Sequence, residues 1–290
     1  MSFPEALARA ADAAQRRLDA ALADRADEAV VQAMRYAVQG GKRLRAFLVL
    51  ESAAMLGVPP EQAVSAAAAV EALHAYSLVH DDLPCMDDDD LRRGQPTVHV
   101  KWDEATAVLA GDALQTLAFE LLTDPALGAA ERRVALVASL ARASGAEGMV
   151  LGQALDIAAE TAAVPLTLAQ ITRLQAGKTG ALIRWSAEAG AVIAGQDPGP
   201  LGRYATALGL AFQIADDILD VEGDADKAGK RLRKDAGAGK ATFVSLLGMD
   251  GAKARARALV VEAGQFALVK RLAPAGADPD SMVGGPPSRT

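Results

Sequence analysis

Cysteine, histidine and aromatic residues are all scarce in this 290-residue chain. Cys85 is the only cysteine, which excludes a disulfide framework and a cysteine-rich zinc site. Three histidines, His74, His80 and His99, are too few for a histidine-clustered metal shell. Aromatics make up 4% of a composition that is 51% hydrophobic, so the core must be built from Ala, Leu and Val rather than stacked rings. Strand-forming runs of β-branched and aromatic residues are missing, while Ala and Leu favour helix. No uncharged apolar run is long enough to cross a bilayer, and the N-terminus lacks the apolar core of a signal peptide. Thirty basic against 37 acidic side chains leave a net charge of −7, a poor balance for binding nucleic acid. These absences predict a cytoplasmic, all-α protein with no membrane insertion.

Helical periodicity broken by Gly and Pro predicts helices near 4–22, 26–39, 43–56, 61–83, 104–123, 130–144, 147–160, 167–194, 200–222 and 242–272. Several are apolar nearly all round, as expected of a central helix surrounded by others. Pro84 should kink or end the fourth. No linker divides the chain, so residues 1–272 are expected to form a single all-α domain. The stretch 223–241, "GDADKAGKRLRKDAGAGKA", reads as a basic, Gly-rich loop. The end, "PAGADPDSMVGGPPSRT", is rich in Gly and Pro and poor in apolar residues, so 273–290 should be a disordered tail.

Charge is concentrated in three places. "HDDLPCMDDDDLRRG" puts six aspartates and two arginines within fifteen residues. Asp81 and Asp88 would share a face of a regular helix with Asp82 one position round, but Pro84-Cys85 distorts that register, so either Asp87 or Asp88 can join Asp81. Carboxylate oxygens without cysteine or clustered histidine suit Mg²⁺, a hard cation that keeps waters and phosphates in its shell. The second group, "FQIADDILDVEGD", carries Asp216, Asp217 and Asp220 in an otherwise apolar helix, with Asp216 and Asp220 one turn apart. Two Asp-rich helices facing each other can build a multi-Mg²⁺ site within a bundle. The third group is basic: Lys42, Arg43 and Arg45 at a helix start, Arg92 and Arg93 after the acidic run, Lys178 and Thr179 in "AGKTG", and Lys230 and Lys240 in the Gly-rich loop. Cations interleaved with carboxylates are what a metal-bridged diphosphate requires. "GKTG" is no P-loop, having neither the first glycine nor a preceding strand. His80-Asp81 lacks the further histidines of an HD-type phosphohydrolase.

The blocks "GGKRLR", "HAYSLVHDDLPCMDDDDLRRG", "AGKTGALIR" and "GLAFQIADDILDVEGD" resemble, in order, the signatures of short-chain trans-prenyl diphosphate synthases, most nearly the bacterial farnesyl diphosphate synthase type. The resemblance covers about residues 28 to 270. It implies a prenyl-synthase helical bundle around a central cavity, usually a homodimer. The implied activity is head-to-tail condensation of isopentenyl diphosphate with an allylic diphosphate, dimethylallyl or geranyl. By motif position it implies Asp81, Asp82, Asp87 and Asp216 near three Mg²⁺ ions, for which Mn²⁺ can substitute, with Asp217 and Asp220 nearby. Arg92, Lys178 and Lys230 would hold the allylic diphosphate, and Lys42, Arg45, His74 and Arg93 the isopentenyl diphosphate. Thr179 and Gln213 would turn dipoles toward the developing cation, making Lys178, Thr179, Gln213 and Arg92 the catalytic group, and Lys240 would belong to a closing loop. Tyr76, with Ser77, resembles the floor that stops the chain at fifteen carbons. Geranyl or geranylgeranyl diphosphate is the alternative product, and a non-catalytic diphosphate-binding subunit the alternative of another class. Family members finish with another packed helix and basic residues, whereas the apolar pattern here stops near Leu272. That departure implies weaker isopentenyl diphosphate binding or lower stability than in a relative bearing the full helix.

Overall fold

Four consecutive alanines, Ala66–Ala69, lie in the first turns of helix α4 (Val64–Asp81), and all four are fully buried. Their small side chains let neighbouring helices approach from every direction, and alanine is the best intrinsic helix former. Around α4 pack α1 (Phe3–Ala23), α2 (Ala29–Ala37), α3 (Leu44–Met55), α6 (Glu104–Leu121) and α10 (Ala181–Ala194). Leu18, Leu22, Val49, Leu114, Leu182 and Trp185 converge on it to form the main core. The chain continues through a short α5 (Val98–Lys101), α7 (Ala130–Ser144), α8 (Met149–Glu160) and α9 (Leu168–Gln175). The long α11 (Gly199–Glu222) and α12 (Phe243–Leu272) pack against each other around a second core of Ile171, Ile214, Phe243 and Leu259. This computed structural model describes residues 2–222 and 242–272, with the side chains of α12 as far as residue 264. Lys230, Lys240, the Gly-rich stretch 223–241 and the tail 273–290 lie outside the described residues.

The expected helices are present, with instructive departures. The predicted 61–83 helix is shorter at both ends: a 3₁₀ turn covers Pro60–Gln62, and α4 stops at Asp81, ahead of the distortion that Pro84 imposes on its predecessor. The predicted 167–194 helix is interrupted by a π turn, Ala176–Gly180. Gly152 of α8 is what admits that turn: a Cβ there would sit 2.0 Å from the Lys178 backbone nitrogen. A two-stranded antiparallel ribbon, β1 (Leu91–Arg92) and β2 (Gln95–Pro96), was not foreseen. Its turn, Arg93-Gly94, has φ of 54° and 74°, the paired positive values that a tight two-residue hairpin demands. The stretch 130–160 is apolar enough on average to span a membrane. It is broken at Gly145 and Gly148, however, and α7 and α8 are each only about 18–22 Å long, short of a hydrocarbon core of about 30 Å.

Glu71 decides the geometry around the start of α3. It is buried inside α4, and its Oε1 accepts the Ala46 N–H at 2.9 Å, capping the otherwise unsatisfied first turn of α3. Its Oε2 pairs with Arg43 at 3.2 Å, and both side chains are 3% exposed. Arg43 also donates to Gln15 Oε1 of α1 at 2.6 Å and to the Val38 carbonyl. The "GGKRLR" block is thereby divided: Arg43, grouped by sequence with the anion-binding cations, is spent inside the fold, while Lys42 stays exposed. Replacing Glu71 with Ala strands a buried guanidinium and is expected to destabilise the protein by about 3–5 kcal/mol, read as a fall in the denaturant midpoint at unchanged slope. A loss below about 1 kcal/mol would show that Arg43 finds another partner.

Candidate active site

The C-terminal end of α4 gathers most of the charged candidates. Backbone carbonyls left open at a helix C-terminus carry partial negative charge and so attract cations. Here the chain folds back over them: Asp87 N–H donates to Asp81 O at 2.8 Å, Asp88 N–H to Leu83 O at 3.2 Å and Asp89 N–H to Asp82 O at 3.3 Å. The reversal needs a left-handed residue, supplied by Asp88 with φ of 50°. The charge of Asp87 acts on both Asp81 and Asp82.

The carboxylates are held under electrostatic tension. Burial, aided by the charges of Asp87 and Asp82, pushes the Asp81 carboxyl up to about 6, with Lys178 and Arg92 pulling the other way. Burial also raises Asp82, against its contacts with Arg92. Arg92 Nε donates to Asp82 Oδ1 at 3.0 Å and Oδ2 at 3.3 Å, and its guanidinium lies 3.6 Å from Asp89. Lys178, on the π turn, is held by Asp156 of α8 at 2.7 Å. Both candidate phosphate ligands therefore rest on carboxylates.

Arg45 and His74 form a basic wall nearby. The Arg45 Nε is shut away from water with no hydrogen-bond partner. Burial is the main force lowering His74 far below its usual value, and the charges of Arg45, Arg93, Arg43 and Arg92 add to it, so the imidazole is neutral. Burial likewise lowers Arg45 and Arg93, which repel one another's charge, while Glu71 partly compensates both. Arg93 donates to the Gln39 carbonyl at 2.8 Å and lies flat against Gly41, where a Cβ would come within 2.7 Å of it. Gly41 also has φ of 90°, so glycine is needed there twice over.

Two cavities flank this end of α4. One, of about 560 Å³, is lined by Gly40, Gly41, Asp82, Arg92, Arg93 and Thr97. The other, of about 360 Å³, has Asp81, Lys178, Thr179, Arg45 and His74 among its polar lining. Its apolar wall includes Met86, Met149, Ala154 and Ile157, and it reaches Tyr76 and Ser77. The predicted set of Lys42, Arg45, His74 and Arg93 is thus split: Arg93 lines the first, Arg45 and His74 line the second beside Lys178, and Lys42 lines neither. Asp216, Asp217 and Asp220 stand on α11, which packs against the π turn. Asp217 accepts the Phe243 N–H at 2.7 Å and ties α11 to the start of α12. Gln213 is half-buried on the same helix.

Among the described residues no three His, Cys, Asp or Glu side chains converge closely enough to hold a metal by themselves. The donor set nevertheless fits a hard divalent cation that completes its shell with water and phosphate, since it is all carboxylate oxygen and two of its members are raised by mutual repulsion and burial. Two functional candidates escaped the sequence reading. Asp156 is 8% exposed and holds Lys178; a lone acid in the apolar stretch "GQALDI" was the available signal. Gln153, one turn earlier, lines the smaller cavity with both amide atoms buried and unpartnered, and nothing in the sequence marks it.

Comparison with known proteins gives a consistent picture. The polyprenyl synthetase family pattern matches residues 27–267. The farnesyl diphosphate synthase of Escherichia coli (strain K12) is 50% identical over 261 residues, 87% of this chain and 86% of that protein. Among solved structures, an FPP/GFPP synthase from Zymomonas mobilis is 46% identical with a TM-score of 0.82, covering 91% of each chain. A Helicobacter pylori geranyltransferase, complexed with magnesium and isoprenyl diphosphate, is 36% identical with a TM-score of 0.75, covering 95% of this chain and 93% of that one.

Because the folded protein prefers Asp81 protonated, the stability that this group contributes is complete below about pH 4 and is lost as pH rises toward about 6. In chelator at pH 7.5, Asp81→Asn should therefore stabilise the protein, by up to about 3 kcal/mol, and raise Tm by a few degrees. The difference should vanish near pH 4. A lower Tm for the variant at pH 7.5 would contradict the electrostatic tension described above.

Proposed function

The chain belongs to the polyprenyl synthetase family, and on that premise we propose that it condenses isopentenyl diphosphate head-to-tail with dimethylallyl and then geranyl diphosphate, releasing farnesyl diphosphate. The observation that carries this is the smaller cavity, charged where Asp81, Lys178 and Thr179 meet and apolar along Met149, Ala154 and Ile157 as far as Tyr76. A prenyl diphosphate has the same polarity along its length. The activity is assigned to one helical domain over residues 1–272, acting as a cytoplasmic homodimer for which exposed Val108 and Leu109 on α6 offer apolar surface.

Mg²⁺, taken as three ions held by Asp81, Asp82, Asp87 and Asp216 with Asp217 and Asp220 nearby, would neutralise the diphosphate as it leaves. The protein's own groups do the rest. Arg92 and Lys178 exchange Asp82 and Asp156 for phosphate oxygens as the allylic substrate enters, giving charge-assisted bonds to the group that gains negative charge. Lys42, Arg45 and Arg93 hold the isopentenyl diphosphate. His74, kept neutral first by burial and then by the surrounding guanidiniums, stands beside Arg45 in the same wall. Breaking the allylic C–O bond leaves a carbocation, toward which Thr179 and Gln213 turn their oxygens. The double bond of isopentenyl diphosphate attacks it, a new C–C bond forms, and a proton leaves to the released diphosphate. No protein nucleophile takes part, and water must be excluded because it would trap the cation.

Tyr76 lies five residues below Asp81, about 7.5 Å along the helix axis, and is 9% exposed. We assign it as the floor for the growing chain. A longer product is the second reading, favoured by the similarity to the Zymomonas mobilis FPP/GFPP synthase. The deciding assay incubates purified protein with labelled isopentenyl diphosphate, dimethylallyl diphosphate and Mg²⁺ and sizes the products. Fifteen-carbon product is expected, lengthening in Tyr76→Ala and shortening to ten carbons in Ser77→Phe. Unchanged lengths in both variants would remove the floor assignment. No incorporation by the parent would turn the reading to a non-catalytic diphosphate-binding subunit.

A further inference from the structure

The residue that closes the cavity is itself held in place. The geometry points to His80 and Gly111 as positioning residues that set where the Tyr76 ring stands, and hence which chain length is released. The inference rests on reading the protein as a prenyl diphosphate synthase, and it extends that reading to a packing contact outside the diphosphate and metal machinery.

His80 lies one turn beyond Tyr76 on the same face of α4. The two rings meet edge to face, with centroids 5.1 Å apart and planes at 81°, an arrangement that aromatic quadrupoles favour. The imidazole is fixed from behind: its Nε2 lies 3.0 Å from the Val108 carbonyl of α6. That carbonyl can be reached because residue 111, less than one turn further along α6, is glycine. A Cβ at Gly111 would fall 2.1 Å from His80 Nε2 and 2.3 Å from its Cδ2, far inside contact distance. Glycine is the weakest ordinary helix former, and this one lies fully inside α6 with no turn to serve. Its role is to leave room for the imidazole. One turn further along α6, the Gln115 side chain comes near the Tyr76 hydroxyl.

A chain of contacts therefore runs from the backbone of α6 through His80 to Tyr76 and the cavity. His80 is turned to α6 rather than to the carboxylates of Asp81 and Asp82. His80 also lines the cavity beside Tyr76, and it acts on product length through the floor that it holds. A smaller residue at 80 lets the Tyr76 ring tip toward α6 and deepens the cavity. A methyl at 111 drives the imidazole off the Val108 carbonyl against Tyr76 and makes the cavity shallower.

The test measures chain-length distribution and total turnover of the full-length protein, using labelled isopentenyl diphosphate, dimethylallyl diphosphate and Mg²⁺. In His80→Ala the share of products longer than fifteen carbons is expected to rise by about fivefold, the scale of one aromatic contact. In Gly111→Ala the share of ten-carbon product should rise instead. Gly111 acts through the imidazole, so the double variant should match His80→Ala alone. A purely structural role would lower turnover and leave the distribution of the parent. That result in variants that still turn over, or independent effects in the double variant, overturns the inference. Should His80→Ala fail to fold, Gly111→Ala and Gln115→Leu decide the matter on the same readout. A parent that incorporates no isopentenyl diphosphate overturns the synthase reading and this inference with it.

Discussion

Glu71 and Arg43, paired out of water between the central helix and the start of α3, hold the geometry on which the charged end of the bundle depends. Buried ion pairs contribute little net stability, because desolvation offsets much of the attraction, but they are demanding about position. Here one carboxylate caps α3 through Ala46 and pairs with Arg43, which in turn reaches α1 and the carbonyl of Val38. Arg43 can do this because its backbone is left-handed, with φ of 52°. The loop before it is then held so that Gly41 presents a flat surface to Arg93 and Arg45 points toward His74. The anion-binding side of the cavity is built outward from a contact that no substrate touches.

The rest of the site is electrostatically unfinished. Asp81, Asp82 and Asp87 crowd one another at the negative end of a helix, and Arg45, Arg93 and His74 are crowded by like charge on the neighbouring surface. Arg92 and Lys178 relieve part of this by resting on Asp82 and Asp156. Each strain is of the sign that a cation or a diphosphate would remove. A protein selected for stability alone would have discharged the conflict with apolar or oppositely charged residues; keeping it is the usual mark of a binding site.

Much of this was legible in advance. Helix existence followed from periodicity, and the boundaries of α6, α7 and α11 came within a residue or two because their caps and punctuation are local. The grouping of Asp81, Asp82, Arg92 and Lys178 followed from charge in apolar surroundings and from the family resemblance. Other features left no local trace. The π turn at 176–180 depends on the absence of a side chain at Gly152 in a different helix. The return of Asp87 toward the end of α4 depends on one left-handed residue, Asp88, after a helix end, where periodicity no longer predicts direction. Arg43 and Lys42 look alike in the sequence and have opposite fates, because only one of them faces Glu71.

The sequence by itself determined the class of the fold and the chemical inventory of the site. Helix formation and the clustering of charge along a chain are local matters, decided within a few residues by propensity and spacing. Tertiary structure decided which of those charges serve the site, which serve the fold, and how deep the cavity runs. Those outcomes depend on approaches between segments far apart in the chain, such as Glu71 with Arg43, Gly152 with Lys178 and Gly111 with His80. They are settled by angstroms of clearance and by burial, quantities that exist only once the helices are packed.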